Sequence, residues 1–240
     1  HAAYLNELDS KIKLIDLDKN RSLKSINAVR KYIKNQKPDV IMSSVTHINI
    51  ILSIVALIYR KNQTKIVINQ VNHLSEIINY HVENKILKKL LISLIIYMYN
   101  FTDGAISMSK GVEEDLLSKG LKVRSKYIYN PIFSKDILDK CKESIKKDER
   151  NTYIAIGRLV PQKNFRLLID AFSLVNKEEE SKLIILGEGS LRPDLENHIN
   201  ALGLNKNVIL KGFVSNPYQY IAEADVFVLT SLWEGFGNVL

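Results

Sequence analysis

TYIAIGRLVPQKNFRLLIDAFSLVN, residues 152–176, sets the fold class of this chain. Its first six residues form an apolar, strand-like run that ends at Gly157. After a polar loop, Phe165, Leu167, Leu168, Ala171 and Phe172 recur at helical spacing over 163–176. A strand feeding through a short loop into an amphipathic helix is the unit of a parallel sheet, since parallel neighbours need a crossover.

The same unit recurs on both sides. Downstream, KLIILG (182–187), VILKGFV (208–214) and DVFVLTS (225–231) read as strands, with helices over 191–203 and 216–224 between them. Upstream, DVIMS (39–43), KIVINQV (65–71), GAISMS (104–109) and KYIYN (126–130) read as strands, separated by helices over 47–60, 83–100 and 111–120. Residues 134–151, SKDILDKCKESIKKDERN, are highly charged and lack a long apolar run, as expected of a linker or a surface helix. The chain has 240 residues, against ~100–150 for a typical domain. The expected fold is therefore α/β: two Rossmann-like, doubly wound domains, residues 1–145 and 146–240, facing a cleft. In such folds ligands sit at the carboxyl ends of the strands, so each loop after a strand is a candidate site.

Composition narrows the class further. Hydrophobic residues make up 46% and charged residues 25%, ordinary for a soluble globular protein. Cys141 is the one cysteine, so no internal disulfide can form and a reducing, cytoplasmic setting fits. The start, HAAYLNELDSK, shows no secretory signal. There is no solenoid repeat or low-complexity segment. The longest apolar run, LLISLIIYMY at 90–99, falls well short of the ~20 residues a membrane span needs. Charge is uneven. Residues 1–145 hold 23 Lys and Arg against 14 Asp and Glu, and residues 146–240 hold 11 against 12. A basic first part suits nucleic acid, anionic lipid or a phosphorylated acceptor, or else is a merely soluble basic surface.

Three loops carry candidate chemistry. In GRLVPQKN (157–164), Gly157 lets backbone approach a ligand, and Arg158 and Lys163 stand ahead of a helix with Asn164 as a cap. Two cations at a helix N-terminus suit a diphosphate, and they would also stabilise a departing nucleoside diphosphate. The plainer reading is two solvated loop cations. In LGEG and LKGFV, Gly187 and Gly189 flank Glu188, and Gly212 leaves room for a flat base against Lys211 and Phe213. Alone, these are ordinary turns after core strands. In SLWEGFGNVL (231–240), Glu234 precedes Gly235, Phe236 and Gly237, where backbone N–H groups can form a nest for sugar or phosphate oxygens. A carboxylate there can accept hydrogen bonds from sugar hydroxyls, or simply stabilise a helix N-terminus. Trp233 reads as packing.

GRLVPQK, LGEG, LKGFV, EADVFVLTS and EGFGNVL, in this order, resemble the retaining family-4 glycosyltransferases (glycosyl transferases group 1) of the GT-B fold over nearly all of 150–240. The resemblance implies that Arg158 and Lys163, with Gly157, contact the donor diphosphate. It implies that Glu234 contacts hydroxyls of the transferred sugar and that Gly235, Phe236 and Gly237 approach sugar and phosphate. Lys211, Gly212, Phe213 and Val214 would line the base. The family's second glutamate, which holds the ribose, would fall two positions past Leu240, and its glycine-rich first loop would precede His1. The resemblance thus implies a fragment truncated at both ends, both domains incomplete, with little or no turnover of its own.

The first half resembles the family's acceptor domain through TDGAISMSKGVEEDLLSKG and YNPIF (129–133). Its candidate polar groups are Ser44, Thr46, His47 and Asn49 after one strand, and Asn72, His73 and Ser75 after the next. The family often places a histidine after the latter strand, facing the transferred sugar, so either His73 or Asn72 takes that catalytic place. KILKKLLISLIIYMYN (85–100) has apolar residues around most of the helix, which favours burial between strands. Lys88 and Lys89 keep peripheral contact with an anionic membrane open.

Taken together, the expectation is a retaining hexosyltransferase. It would move a sugar from a nucleotide-diphosphate donor, a UDP-sugar, to a glycan or lipid-linked acceptor hydroxyl in bacterial surface polysaccharide synthesis. It would work in the cytoplasm, with peripheral contact to the inner face of the membrane left open, and with no metal, no other cofactor and no nucleic-acid partner. Rival readings are another GT-B enzyme, an epimerase or phosphorylase, and a non-catalytic nucleotide-binding protein.

Overall fold

The structure is a computed structural model that describes residues 9–15, 25–59, 63–131, 137–142 and 149–237. The chain forms two compact units, His1–Ile128 and Tyr129–Leu240.

The first unit runs α1 (Ile26–Gln36), β1 (Val40–Ser44), α2 (Thr46–Ile58), β2 (Lys65–Gln70), α3 (Leu74–His81), α4 (Lys85–Tyr99), β3 (Gly104–Ser107), α5 (Lys110–Ser118) and β4 (Ser125–Tyr127). Its strands form one parallel sheet in the order β1-β2-β3-β4. Alternate residues of a strand share a face, and Ile66, Ile68 and Gln70 of β2 are all buried. Ile66 packs with Ile33, Leu52 and Val55, and Ile68 with Leu74, Ile95, Tyr99 and Leu116. At the carboxyl end of β2 the apolar face gives way to the amide of Gln70.

Two expectations change here. The loop expected around Ser75 is the first turn of the extra helix α3. His73 occupies its N-cap position without a side-chain cap. The cap comes instead from α5: Ser75 N donates to Asp115 Oδ2 at 3.0 Å, and Ser75 Oγ donates to the same carboxylate. No local cap signal existed to be read. Second, α4 is not buried all round. Ile95, Ile96 and Tyr99 face the core, while Ile86 (72% exposed), Leu90 (62%), Leu94 (54%) and Tyr97 (61%) form an exposed stripe. The helix packs on one side only.

In the second unit, α6 (Ile137–Cys141) is the described part of the charged segment; residues 132–136 and 143–148 lie outside the described residues. There follow β5 (Thr152–Ile156), a 3₁₀ turn (Pro161–Lys163), α7 (Phe165–Glu178), β6 (Lys182–Leu186), α8 (Arg192–Ala201), β7 (Val208–Gly212), α9 (Tyr218–Glu223) and β8 (Val226–Phe227). The strands pair in parallel, in the order β7-β6-β5-β8. Leu183 and Ile185 pack against Phe165, Leu168, Phe172, Leu195 and Ile199, whereas Ile184 and Leu186 join Ile154 in a second cluster with Tyr220, Ile221 and Phe227. Both sheet faces are thus covered, which is why KLIIL is apolar without alternation.

The last strand is shorter than expected from 225–231. Val228 N still donates to Ile154 O, but Thr230 Oγ1 then donates to Lys163 O and Leu232 N to Gln162 O. The chain leaves the sheet because it bonds to the 3₁₀ turn instead. The strand order also matters for function. With β6 and β7 on one side of β5 and β8 on the other, the order reverses at β5. The loops after β5 and β8 flank this switch point, the place where open α/β sheets bind ligands.

Candidate functional site

Several interactions join the two loops at the switch point. Lys163 Nζ donates to Glu234 Oε1 at 2.5 Å, with only 16% and 21% of the two side chains exposed. Gln162 Nε2 donates to Trp233 O at 2.9 Å and Gln162 O accepts from Leu232 N at 2.8 Å. Thr230 Oγ1 donates to Lys163 O at 3.0 Å. Gln162 and Thr230 carry no charge and belong to no chemical pattern, so the sequence reading passed over them. Their signal was only adjacency, to Lys163 and to the strand end. A partly desolvated ion pair is costly to break from one side, because the remaining charge keeps its desolvation penalty. Arg158 is exposed, and among the described residues its guanidinium has no ion-pair partner. One free cation and one stored on a carboxylate therefore stand in the same loop. Phe236 packs on Tyr129, ring centroids 5.2 Å apart and planes tilted by 33°.

The space beside Gly157, Gly187, Gly189 and Gly212 is occupied by neighbours. A Cβ on Gly157 would lie 3.0–3.2 Å from Cε, Cδ and Cγ of Lys163. The open space there is filled by the lysine stem rather than left for a ligand. Gly187, at φ +135°, and Gly189 have no room at all: a Cβ would stand 2.0 Å from Gly157 O and 2.4 Å from Leu159 O, respectively. The G-x-G turn packs directly on the Gly157–Leu159 backbone, with Leu159 N donating to Glu188 O at 2.9 Å. Gly212, at φ +86°, was expected to leave space for a base. Glu188 Oε1 fills it, 2.8 Å from where a Cβ would be. That carboxylate is held bidentate by Arg192, which also donates to Glu196 and Leu210 O. Hydrogen bonds to Glu188 and Glu196 raise the pKa of Arg192 further. Of the expected base-lining stretch, Val214 joins the core cluster of Ile154, Ile184 and Leu186, while Lys211 and the ring of Phe213 are exposed. Asn164 takes the N-cap position of α7 but makes no side-chain cap bond. Its role is conformational, at φ 50° and ψ 42°, between the 3₁₀ turn and the helix.

In the first unit a buried amide network backs the candidate loops. Gln70 Nε2 donates to Thr46 Oγ1 and to Asn72 O, at 3.0 and 2.9 Å. Gln70 Oε1 accepts from Asn49 Nδ2 and Tyr99 Oη. Burial pushes the Tyr99 phenol up, so it stays a donor. Asn49 also accepts from Ser43 and donates to Asn69 O. Asn49 and Ser75 are therefore committed to the scaffold, whereas His47 is exposed and His73 partly so. Gln70, deep in an apolar strand, was not singled out by the sequence.

Glycosyltransferase Family 4 matches residues 4–133, more than half of the chain, and Glycosyl transferases group 1 matches residues 137–240. The chain belongs to the family-4 glycosyltransferases.

Among the relatives of this chain is the N-acetylgalactosamine-N,N'-diacetylbacillosaminyl-diphospho-undecaprenol 4-alpha-N-acetylgalactosaminyltransferase of Campylobacter jejuni. It is 36% identical over 182 residues, covering 75% of this chain and 48% of the relative. An uncharacterized glycosyltransferase of Methanocaldococcus jannaschii is 31% identical over 231 residues, covering 91% and 56%. A capsular polysaccharide biosynthesis glycosyltransferase of Staphylococcus aureus is 28% identical, covering 65% and 42%. The chain spans about half the length of the curated relatives it matches. Among solved structures, Anabaena HepE in complex with UDP and glucose superposes with a TM-score of 0.66 at 21% identity, covering 91% of this chain and 58% of that one. Staphylococcus aureus TarM gives 0.64 at 22%, covering 88% and 41%. These likenesses establish the GT-B type of α/β fold with parallel sheets.

Proposed function

We propose that the protein transfers a hexose-type sugar from a UDP-sugar to a hydroxyl of a glycan or lipid-linked acceptor, with retention at the anomeric carbon, in bacterial surface polysaccharide synthesis. The observation that carries this reading is the meeting of Lys163 and Glu234 at the switch point of the second sheet. There a cation suited to a diphosphate and a carboxylate suited to sugar hydroxyls stand side by side. Arg158 supplies the second cation, as a fork that suits phosphate geometry. On donor binding, Lys163 turns from Glu234 to the diphosphate and Glu234 accepts from the sugar. As the bond to the anomeric carbon breaks, charge grows on the leaving diphosphate, and the two cations stabilise it. The nucleotide sugar is a substrate, and the reading assigns no cofactor. Phe213 offers an exposed ring to the base. Gly235, Phe236 and Gly237 bring backbone to sugar and phosphate. His73 orients the acceptor hydroxyl.

Support for the donor comes from solved neighbours bound to UDP and to UDP-glucose. Support for the acceptor comes from relatives whose names specify undecaprenyl-diphosphate-linked sugars and capsular polysaccharide. Incubating the full-length protein with UDP-glucose, UDP-galactose and their N-acetyl forms, plus an undecaprenyl-diphosphate-linked sugar, tests the reading. An α-linked product by NMR is expected from an α-linked donor. An inverted product removes retention, and release of UDP without transfer to any acceptor removes the transferase.

The reading extends to the membrane surface. The exposed stripe Ile86, Leu90, Leu94 and Tyr97 on α4 lies on the same helix as Lys85, Lys88 and Lys89, within the basic half of the chain. Apolar residues beside lysines fit an anionic lipid surface. Among the described residues no helix is long and apolar enough to cross a membrane, so contact would be peripheral. Cosedimentation with phosphatidylglycerol vesicles should be lost in the Leu90→Asp, Leu94→Asp variant; equal sedimentation of variant and parent would exclude this surface.

A further inference from the structure

We infer that α5 is the positioning element of His73, through Gly111 and Asp115. The inference rests on the proposed role of His73 in the transfer. These two residues are four apart, so they share one face of the helix. Gly111 lies under the imidazole: a Cβ there would stand 3.3 Å from His73 Cε1 and 3.5 Å from Nε2. Asp115, one turn on, holds Ser75 through both its backbone N–H and its hydroxyl. On the near side, Gln70 Nε2 holds Asn72 O. His73 is therefore pinned on both flanks, and its ring rests on a helix surface stripped of its side chain.

Gly111 has no conformational reason to be glycine. Its φ lies outside the left-handed region, and within a helix alanine is preferred to glycine. Alanine at 111 is thus expected to leave stability unchanged or raise it. What alanine and larger residues do is push the ring, by a few tenths of an ångström for a methyl and more for a branched side chain. Reacting groups tolerate such shifts poorly, since about 1 Å of misplacement can cost about a hundredfold in rate. The sequence pattern S-K-G-V-E-E-D over 109–115 thus encodes a seat for a residue almost forty positions earlier.

The test compares Gly111→Ala, Gly111→Val and Asp115→Asn in full-length protein, alone and combined with His73→Ala, using UDP-glucose and the donor panel above. The expected result is a graded fall in kcat, several-fold for Ala and on the order of tenfold or more for Val. KM for the donor should stay nearly constant, and the Gly111→Ala Tm should be equal or higher. In the His73→Ala background the same changes should have no further effect. The His73 Cε1–H resonance of ¹³C-histidine-labelled protein, assigned with His73→Ala, should move in Gly111→Val. Parent-like kcat in Gly111→Val, an unmoved resonance, or an equal loss with His73 absent overturns the seat. Full turnover in His73→Ala removes the catalytic role of His73 and with it this inference. An inactive His73→Ala beside a fully active Gly111→Val overturns the seat alone.

Discussion

Glu234 and Lys163 in the second unit meet as an ion pair, whereas His73 in the first is held by shape and by hydrogen bonds on its two neighbours, from the Gln70 amide on one side and to the Asp115 carboxylate on the other. The first arrangement places a partly buried ion pair on two loops that neutral bonds stitch together. The second closes a polar network around the buried Gln70 and rests a ring on Gly111. Charge can be handed over: under the proposed function an incoming diphosphate would compete for Lys163 and a sugar hydroxyl for Glu234. A packed ring and a satisfied amide network cannot be exchanged in that way. Under the proposed function, the ion pair is the part that would rearrange for the donor and the packed ring the part that would hold still.

The sharpest way to break this contrast is to remove the cations. Arg158→Ala with Lys163→Ala should weaken UDP binding by about 10²–10⁴, since each charge-assisted bond is worth ~1.5–3 kcal/mol. Calorimetry across a salt series should show the parent's affinity falling with salt and the variant's nearly flat. If the double variant binds UDP as the parent does, the diphosphate lies elsewhere.

Next in size is Glu234→Ala, expected to lower transfer by about 10²–10³, the scale of losing one group that acts on developing charge or on the reacting sugar. UDP affinity should fall little or rise, because Lys163 is freed from its partner. Loss of UDP binding with unchanged turnover of bound donor would recast Glu234 as a structural partner of Lys163.

The smallest effect probes the other region. Gln70→Leu should cost stability about 1–3 kcal/mol, because Tyr99, Asn49 and Thr46 lose their shared partner in a buried place. Thermal unfolding should shift accordingly, and the shift should not depend on salt. A salt-dependent loss would mean that the first unit is held by charge after all.

How far the sequence was legible follows the same divide. The strand-to-helix unit at 152–176 was readable, because a sheet buried on both faces leaves unbroken apolar runs and a helix leaves a 3.6-residue period. Arg158, Lys163 and Glu234 were readable as candidates through the order of the loop motifs that resemble the family, since spacing alone leaves solvated cations and a helix-terminal carboxylate as the plainer reading. The extra helix α3 was not, since its cap is Asp115, forty positions away. The exposed stripe of α4 was not, since periodicity says that a helix is apolar but not which of its sides finds a partner. What fills the space beside Gly157 and Gly212 was not legible. A glycine announces room without naming the tenant, and here the tenants are the Lys163 stem and the Glu188 carboxylate.

By itself, then, the sequence determined the α/β class, the strands of both sheets in their chain order and the residue types suited to a diphosphate and a sugar. Those are properties of local period and composition, written within about twenty positions of one another. Only the tertiary structure decided that β8 lies beside β5, so that Lys163 and Glu234 meet although 71 positions separate them. Only it decided that Gly111 lies beneath His73. Strand order and the approach of one helix to another's loop come from the simultaneous packing of both sheet faces, and no local stretch of chain carries that information.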